Sequence, residues 1–163
     1  MGGARPKTVV EDEEGLWLAK FSRPDDAWDN PRVEHAMLEL AAESGLSPCR
    51  SQVVQVGDRP VLFVKRFDRE RTEGGYLRHR MISAVTFLDA SETSADRTRW
   101  SYPLLADELR RTDIDQVASR KELFRRMAFN ALISNVDDHP RNHALIADAR
   151  GWRLAREALK YAL

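Results

Sequence analysis

The interpretation of this chain starts from residues 135–142, which read Asn-Val-Asp-Asp-His-Pro-Arg-Asn. The segment follows an apolar run with helical character, 124–133, and precedes an apolar run typical of a strand, 143–147. Polar clusters between apolar elements are usually solvated turns. This one is unusual because the carboxylate of Asp137 is followed five residues later by the amide of Asn142. A second carboxylate and an imidazole lie between them, so the segment is the first indication of chemistry in the chain.

Composition predicts a globular protein. The chain has 163 residues, of which 42% are hydrophobic and 32% charged, enough for one domain or two small lobes. Lys+Arg and Asp+Glu number 26 each, and this balance argues against a general nucleic-acid-binding protein. Cys49 is the only cysteine, which excludes an internal disulfide and favours a reducing compartment.

Neither a membrane helix nor a signal peptide is expected. No apolar run approaches the roughly 20 residues that a membrane helix needs. Residues 1–7 lack the apolar centre of a signal peptide. We therefore expect a cytoplasmic protein with no membrane partner and no direct nucleic-acid partner.

The first part of the chain predicts antiparallel strands around one helix. Two hairpins, near 9–21 and 52–67, are indicated by apolar strands on either side of acidic or Gly-containing turns. Between them, Asp29 or Asn30 is suited to cap a helix, and Gly45 is its expected C-terminal cap.

After Phe67 the pattern changes. Residues 68–75 are charged and contain glycine, so we expect a crossover loop and a lobe boundary there. Ser119 with Glu122 has the spacing of a capping box. Helical patterns and a last hairpin follow, at 79–88, 102–111, 119–134 and 143–154.

This order predicts an α+β, protein-kinase-like fold with two lobes. Residues 1–67 are expected to form a small mixed N-lobe with antiparallel strands and one helix. Residues 68–163 are expected to form a partial, mostly helical C-lobe that carries the 135–142 loop. Such a likeness of element order is an analogy, because fold does not determine function.

Lys20 and Glu34 are the first candidates for binding a nucleotide. Lys20 lies within the apolar strand Leu18-Ala19-Lys20-Phe21, and Glu34 falls in the first full turn of the following helix. Protein kinases hold ATP phosphates with a strand lysine that pairs with a helix glutamate. The alternatives are a lysine that faces solvent and a glutamate placed near the positive end of the helix dipole.

Two further segments are candidates for the same site. The Gly2-Gly3-Ala4 sequence opens a segment, 2–7, in which missing side chains would let backbone amides approach phosphate oxygens. The alternative is a disordered terminus. At 65–68, Lys65-Arg66-Phe67-Asp68 lies where strands give way to helices, and its backbone is placed to hold an adenine edge with Asp68 near the ribose. The alternative is a charged strand end.

The 135–142 loop has three interpretations. In protein kinases a catalytic-loop Asp takes the substrate hydroxyl proton and a following Asn binds magnesium, and Asp137 and Asn142 have that separation. Alternatively, a metal-dependent hydrolase would use Asp137, Asp138, His139 and His143 as ligands. The third interpretation is a structural network in which Asp and Asn side chains bond to turn amides.

Taken together, these motifs resemble the HipA family of bacterial serine/threonine kinases, the toxins of HipA–HipB toxin–antitoxin pairs. The matching segments follow one another along nearly the whole chain. They are Gly-Gly-Ala-Arg-Pro-Lys at 2–7, Leu-Ala-Lys-Phe at 18–21, Glu34 with Leu40-Ala41, Val-Lys-Arg-Phe-Asp-Arg at 64–69, Ser101-Tyr102, and the 135–142 loop.

The resemblance implies a role for each matching residue. Asp137 would be the catalytic base toward a serine or threonine hydroxyl, and Asn142 would bind Mg²⁺. ATP would be held by Gly2, Gly3, Ala4, Lys20, Glu34, Lys65, Phe67, Asp68 and His139. The reaction would transfer the γ-phosphoryl group of ATP, catalysed mainly by positioning and charge stabilisation.

The resemblance also implies protein partners and an alternative function. The substrate would be a protein, since some family members are associated with glutamyl-tRNA synthetase, and a HipB-like helix-turn-helix antitoxin is an expected partner. In the family the last hairpin leads into a second magnesium-binding Asp, yet no Asp follows Asp148, and Glu157 is not at the matching position. The alternative is therefore a truncated, catalytically impaired member that keeps a nucleotide- or antitoxin-binding surface.

Overall fold

The computed structural model describes residues 6–90 and 99–156. The chain divides into two compact units after Leu77. The described part of the N-terminal unit is 6–77, and that of the C-terminal unit is 78–90 and 99–156.

The N-terminal unit is built on a four-stranded antiparallel sheet with the order β1-β2-β4-β3. The two predicted hairpins form it, and Lys20 lies on the inner strand β2, opposite Lys7 and Leu62. Along β2, Trp17 and Ala19 are buried at alternate positions, as expected for a strand with one face in a core. The strands are β1 Lys7–Asp12, β2 Gly15–Phe21, β3 Ser51–Val56 and β4 Arg59–Lys65.

The predicted helix is present as α1, Asn30–Glu43. Asp29 caps it by accepting a hydrogen bond from the Arg32 amide at 3.3 Å. The chain turns away through Gly45, whose φ of +79° is a conformation that glycine adopts without strain. The helix buries Leu38 and Ala41 and contacts β3 and β4, so it covers one face of the sheet.

The prediction of a loop at 68–75 is wrong. Residues 69–78 instead form a hairpin of β5, Arg69–Thr72, and β6, Gly75–Arg78. The Arg71 guanidinium donates a hydrogen bond to the Glu13 carbonyl at 2.9 Å, and the Tyr76 hydroxyl donates one to Glu11 at 2.9 Å. These long-range contacts tie the charged segment to the first hairpin.

The prediction of a helix at 79–88 is also wrong for the first half of that range. Residues Arg80–Ser83 form β7, and only Ala84–Phe87 are helical, as α2. Strand β7 pairs antiparallel with β8, Ala144–Asp148, so that Arg80 lies opposite Ala147 and Ser83 opposite Ala144. Pairing with a strand about 60 residues away in the chain overrides the local helical pattern.

The C-terminal unit packs two helices on this sheet, whose order is β7-β8-β9. The predicted helices and last hairpin are present as α3 Tyr102–Thr112, α4 Gln116–Leu132, β8 and β9 Gly151–Leu154. Buried leucines from all of them form the core, namely Leu105, Leu109, Leu123, Leu145 and Leu154.

The N-terminus of α4 differs from the predicted capping box. Asp115, not Ser119, caps the helix and accepts a hydrogen bond from the Ala118 amide at 3.4 Å. Ser119 is buried, and its hydroxyl accepts a hydrogen bond from the Leu154 amide at 3.4 Å. The capping-box spacing is therefore present in the sequence, but the Ser119 side chain contacts β9 instead of capping α4.

The mixed α/β class with antiparallel sheets is confirmed. Across the ranges 6–90 and 99–156, no helix combines the length and the apolar character needed to cross a membrane.

Candidate functional site

The 135–142 loop is anchored where α4 ends. Ser134 adopts a left-handed backbone conformation with a φ of 56°, which turns the chain out of the helix. The Asn135 amide donates a hydrogen bond to the Asn130 carbonyl at 2.9 Å, and the Asn135 side-chain amide donates one to the Asn130 side chain at 3.1 Å. Because Asn130 is buried, these bonds fix the start of the loop to the unit's interior.

Asp137 and Asn142 are joined within the loop. The side-chain amide of Asn142 donates a hydrogen bond to the Asp137 carbonyl, and the Asn142 backbone amide donates one to the His139 carbonyl at 2.8 Å. The Asn142 side-chain oxygen is buried and has no hydrogen-bond partner among residues 6–90 and 99–156. The Asp137 carboxylate is 40% exposed, with one oxygen 3.6 Å from Nε2 of His139. The loop thus holds an accessible carboxylate at Asp137 and an amide oxygen at Asn142 that accepts no hydrogen bond from the described residues.

The neighbouring Asp138 has a different environment. It is mostly buried, and it accepts hydrogen bonds from the Tyr102 hydroxyl and from Nε2 of His143, the latter at 3.0 Å. Burial alone acts to raise the pKa of Asp138, but the hydrogen bonds from His143 and Tyr102 outweigh it, and the pKa lies below the ordinary value of 3.8. We refer to these three residues as the Tyr102–Asp138–His143 network.

This network bears on the hydrolase interpretation. Asp138 and His143 bond to each other, whereas His139 lies beside Asp137. Within the part of the chain that the structure describes, no group of three or more His, Cys, Asp or Glu side chains is placed to hold a metal ion. The four-residue ligand set expected for a hydrolase therefore does not form in this geometry.

A cavity of about 210 Å³ lies between the loop and the start of α3. Its walls include the rings of Trp100, Tyr102, His139 and His143, together with Leu105 and Pro140. The Trp100 and His139 ring centroids are 6.1 Å apart, and the Tyr102 ring meets the His143 ring edge-on at 5.3 Å. All of these residues belong to the C-terminal unit.

Lys20 and Glu34 form an ion pair in the N-terminal unit. Both side chains are largely buried, with 16% and 15% of their surfaces exposed. The strand register places Lys20 on β2 facing α1, and Glu34 lies one turn into that helix. The lysine is therefore held by a carboxylate rather than extended into solvent.

The Lys65 side chain of the 65–68 segment has partners within the N-terminal unit, and the expected nucleotide contact of this segment stays a prediction. The Lys65 ammonium donates a hydrogen bond to the Glu14 carbonyl and lies 4.6 Å from the centre of the Trp17 ring. Phe67 is half-buried in the turn after β4. These contacts direct Lys65 to the turn between β1 and β2.

Asp68 is buried and is held by two arginines. Arg66 donates to both of its oxygens, at 2.9 and 2.6 Å, and Arg69 donates to one of them. Burial acts to raise the pKa of Asp68, yet the hydrogen bonds and charge of Arg66 with the charge of Arg69 lower it below the ordinary value. Its carboxylate is thus already paired, and a ribose contact there would compete with the arginines.

The remaining expectations lie outside the described residues. These are Gly2, Gly3 and Ala4 of the 2–7 segment, and Glu157 after the last hairpin. Asp148, the last residue of β8, accepts hydrogen bonds from the Arg153 side chain and, at 2.8 Å, from the Arg150 amide.

Sequence reasoning missed the role of Tyr102. The Ser101-Tyr102 pair stands out in the sequence, and Ser101 caps α3, but nothing local links Tyr102 to Asp138, 36 residues away. The ion pairs of Asp68 with Arg66 and Arg69 could have been predicted from the sequence, since both arginines lie within two residues of Asp68.

The chain is similar to known proteins in sequence and in fold. A sequence model of the family described as HipA-like C-terminal domain matches residues 1–156. The HipA of a Shewanella oneidensis MR-1 HipA–HipB–operator DNA complex has a similar structure, with a TM-score of 0.75 and 19% identity over 99% of this chain. The Helicobacter pylori proinflammatory kinase CtkA gives a TM-score of 0.73 and 15% identity over 96% of this chain.

The chain spans 43% of the length of that HipA and 54% of that of CtkA. At these identities the two structures establish a shared fold. A search among curated proteins found no significant relative.

Proposed function

Because the chain belongs to the HipA-like C-terminal domain family, we propose that it transfers the γ-phosphoryl group of ATP to a serine or threonine hydroxyl of a protein. The family membership and the shared fold with HipA and the kinase CtkA support this proposal. In the proposed enzyme, this chain supplies the 135–142 loop. It also supplies strand β2 and helix α1, which carry Lys20 and Glu34 for nucleotide binding.

The observation that carries the proposal is the pairing of Asp137 with Asn142. The Asn142 amide nitrogen donates a hydrogen bond to the Asp137 carbonyl, and the amide oxygen is buried without a partner in the described part of the chain. An unsatisfied amide oxygen is an unfavourable group to bury unless something binds it. Oxygen ligands of this type suit Mg²⁺, so Asn142 fits a role as one of its ligands. The adjacent Asp137 carboxylate remains open to a substrate.

Each residue then has a defined part in the reaction. Asp137 accepts the proton of the attacking hydroxyl, and His139, 3.6 Å from its carboxylate, helps to orient it. Lys20, held by Glu34, presents its ammonium to the phosphates. When bound, Mg²⁺ would neutralise charge on the phosphate oxygens.

Incorporation of ³²P from γ-labelled ATP tests the proposal. With Mg²⁺ present, the wild-type protein is expected to label itself or a protein substrate. Asp137→Asn is expected to lower the rate by about 10²–10⁴-fold, the usual contribution of a general base. Asp107→Asn is the matched control, because Asp107 is 62% exposed on α3 and contacts Arg110. Equal rates in wild type and Asp137→Asn would remove Asp137 from the mechanism.

A HipB-like antitoxin is proposed as the protein partner. The Shewanella HipA of similar fold is found in a complex with HipB and operator DNA. By analogy, this chain would act as the toxin component of a type II toxin–antitoxin pair, with an aminoacyl-tRNA synthetase as a candidate substrate. Light scattering of this chain mixed with a HipB-like helix-turn-helix protein tests the complex: a summed mass supports it, and two separate peaks contradict it.

A second candidate is a nucleotide-binding protein with little turnover. The Asp148 carboxylate is occupied by Arg153 and by the Arg150 amide of its own turn. Its environment therefore favours a structural role over a second magnesium ligand. ATP-dependent thermal stabilisation without ³²P transfer would favour this candidate, and Lys20→Met should abolish that stabilisation.

A further inference from the structure

Of the residues that line the cavity beside the 135–142 loop, only His139 has a part in the mechanism above. It lies within the C-terminal unit, and its walls are mostly apolar, with four ring systems contributed by Trp100, Tyr102, His139 and His143. Its volume of about 210 Å³ exceeds that of an engineered apolar cavity of roughly 150 Å³ that holds benzene. A single aromatic ring therefore fits in it.

The charges around the cavity favour a neutral occupant. Asp138 contributes the carboxylate, which already accepts hydrogen bonds from Tyr102 and His143. A lysine or arginine that entered would have to displace these donors, and an acidic group would meet the negative charge of Asp138. Because the carboxylate is paired and buried, burying a further charge beside it is unfavourable.

The rings favour an aromatic occupant over an aliphatic one. Aromatic side chains gain from edge-to-face and offset contacts with centroid separations of about 4.5–7 Å. The Trp100–His139 and Tyr102–His143 pairs already stand at 6.1 and 5.3 Å. A ring bound in the cavity would make further contacts of this kind with both pairs.

The position of the cavity indicates where the occupant comes from. Asp138, His139 and Pro140 line it and directly follow Asp137 in the chain. Successive Cα atoms are about 3.8 Å apart, so a peptide whose hydroxyl reaches Asp137 has neighbouring residues within reach of the cavity.

We propose that this cavity binds an aromatic side chain of the protein substrate, close in sequence to the serine or threonine that is phosphorylated. The cavity would thus determine substrate specificity. The assignment as a substrate pocket rests on the proposed kinase function, whereas the binding of an aromatic group can be measured without turnover.

Direct binding is the first test. Ligand-observed NMR or calorimetry would compare N-acetyl-phenylalaninamide with the alanine, aspartate and lysine amides. The phenylalanine compound is expected to bind at least about 10-fold tighter than the alanine compound, the usual effect of filling an apolar pocket. Equal binding of all four compounds would overturn the proposal.

Trp100→Ala locates the binding site. It removes one wall and is expected to weaken the binding of N-acetyl-phenylalaninamide about 10-fold or more. Trp28→Ala is the matched control, since Trp28 is 64% exposed in the N-terminal unit. A thermal melt establishes that both variants fold, and Trp100→Phe provides a milder change if Trp100→Ala does not. Unchanged binding in a folded Trp100 variant would contradict the site.

Adenine is the competing aromatic occupant. If ATP displaces N-acetyl-phenylalaninamide and Trp100→Ala weakens ATP binding to the same degree, the cavity holds the nucleotide base and the substrate assignment is wrong. Independent binding of the two ligands supports it.

Serine peptides that carry phenylalanine, alanine, aspartate or lysine at each of the neighbouring positions provide the catalytic test. Faster labelling of the phenylalanine peptides, lost in Trp100→Ala, is the expected result. Aromatic binding without any phosphoryl transfer would overturn the kinase function and the substrate role while leaving the pocket itself established.

Discussion

The side-chain amide of Asn142 donates a hydrogen bond to the backbone carbonyl of Asp137. This bond fixes the orientation of the amide, so its oxygen is held at a set position instead of rotating freely. No described residue donates a hydrogen bond to this oxygen. One residue therefore both orders the loop and carries the oxygen proposed as a Mg²⁺ ligand.

Asn142→Ala is expected to remove both contributions. Phosphoryl transfer should fall by about 10–100-fold or more, the range seen when groups around a bound metal are lost. A titration with Mg²⁺ at fixed ATP measures the change, and a raised Mg²⁺ requirement is the expected signature. Asn30→Ala is the control, because the Asn30 side chain bonds only weakly, to the Trp28 carbonyl at 3.3 Å. An unaltered Mg²⁺ requirement in Asn142→Ala would exclude Asn142 as a ligand.

Glu34→Gln is expected to destabilise the N-terminal unit by leaving the Lys20 ammonium without its carboxylate. The pair is about one-sixth exposed, so the loss should fall between the values for surface and buried pairs, about 1–3 kcal/mol. Urea unfolding measures it. The matched change is Glu14→Gln in the exposed pair of Glu14 with Arg50, which should cost less than about 1 kcal/mol. A cost in Glu34→Gln no larger than in Glu14→Gln would show that the buried pair does not stabilise the fold.

Stability at acidic pH should depend on Asp138. The pKa of its carboxyl is lower in the folded protein than its ordinary value of 3.8, so the folded state binds the proton less readily than the unfolded chain. Its contribution to stability is therefore complete above the ordinary value and is lost as the pH falls through the lowered pKa. Urea unfolding from pH 2 to pH 6 should show this loss in the wild-type protein.

Asp138→Asn is the comparison for that measurement. The difference in unfolding free energy between wild type and this variant should be constant near pH 6 and shrink below about pH 3.8, because the carboxyl is then protonated in the unfolded chain before it is protonated in the folded protein. Asp107→Asn, which changes an exposed acid on α3, tests whether the shrinkage belongs to Asp138. A difference that stays constant down to pH 2 would contradict the network.

Ser134→Gly is expected to stabilise the C-terminal unit. Ser134 has a φ of 56° and is exposed, and residues other than glycine are strained in that conformation. After allowance for the greater freedom of glycine in the unfolded chain, the gain should be about 0.5–1 kcal/mol. Ser44→Gly at the end of α1 is the control: Ser44 has a φ of −80°, so glycine there should give no gain. Equal effects of the two substitutions would argue against strain at Ser134.

Much of the fold was predictable because its signals are local. The cap at Asp29, the turn at Gly45 and the two N-terminal hairpins depend on backbone preferences within a few residues. The separation of Asp137 from Asn142 is likewise a local property, and it placed both residues in one loop before any contact was known.

The failures share a physical cause. Residues 80–83 were expected to be helical but form β7, because their pairing partner is β8. The Ser119–Glu122 spacing predicted a cap, yet burial against Leu154 gives Ser119 another partner. In both cases a distant segment competes with the local preference, and the local pattern contains no information about that segment.

The sequence by itself determined the family, the order of most strands and helices, and the residues that form the candidate catalytic loop. Only the tertiary structure decided that Asp138 is paired with Tyr102 and His143 while its neighbour Asp137 stays open to solvent. Two adjacent aspartates are chemically identical in the sequence. Burial and hydrogen-bond donors distant in sequence hold the Asp138 carboxylate in a network and leave the Asp137 carboxylate partly exposed.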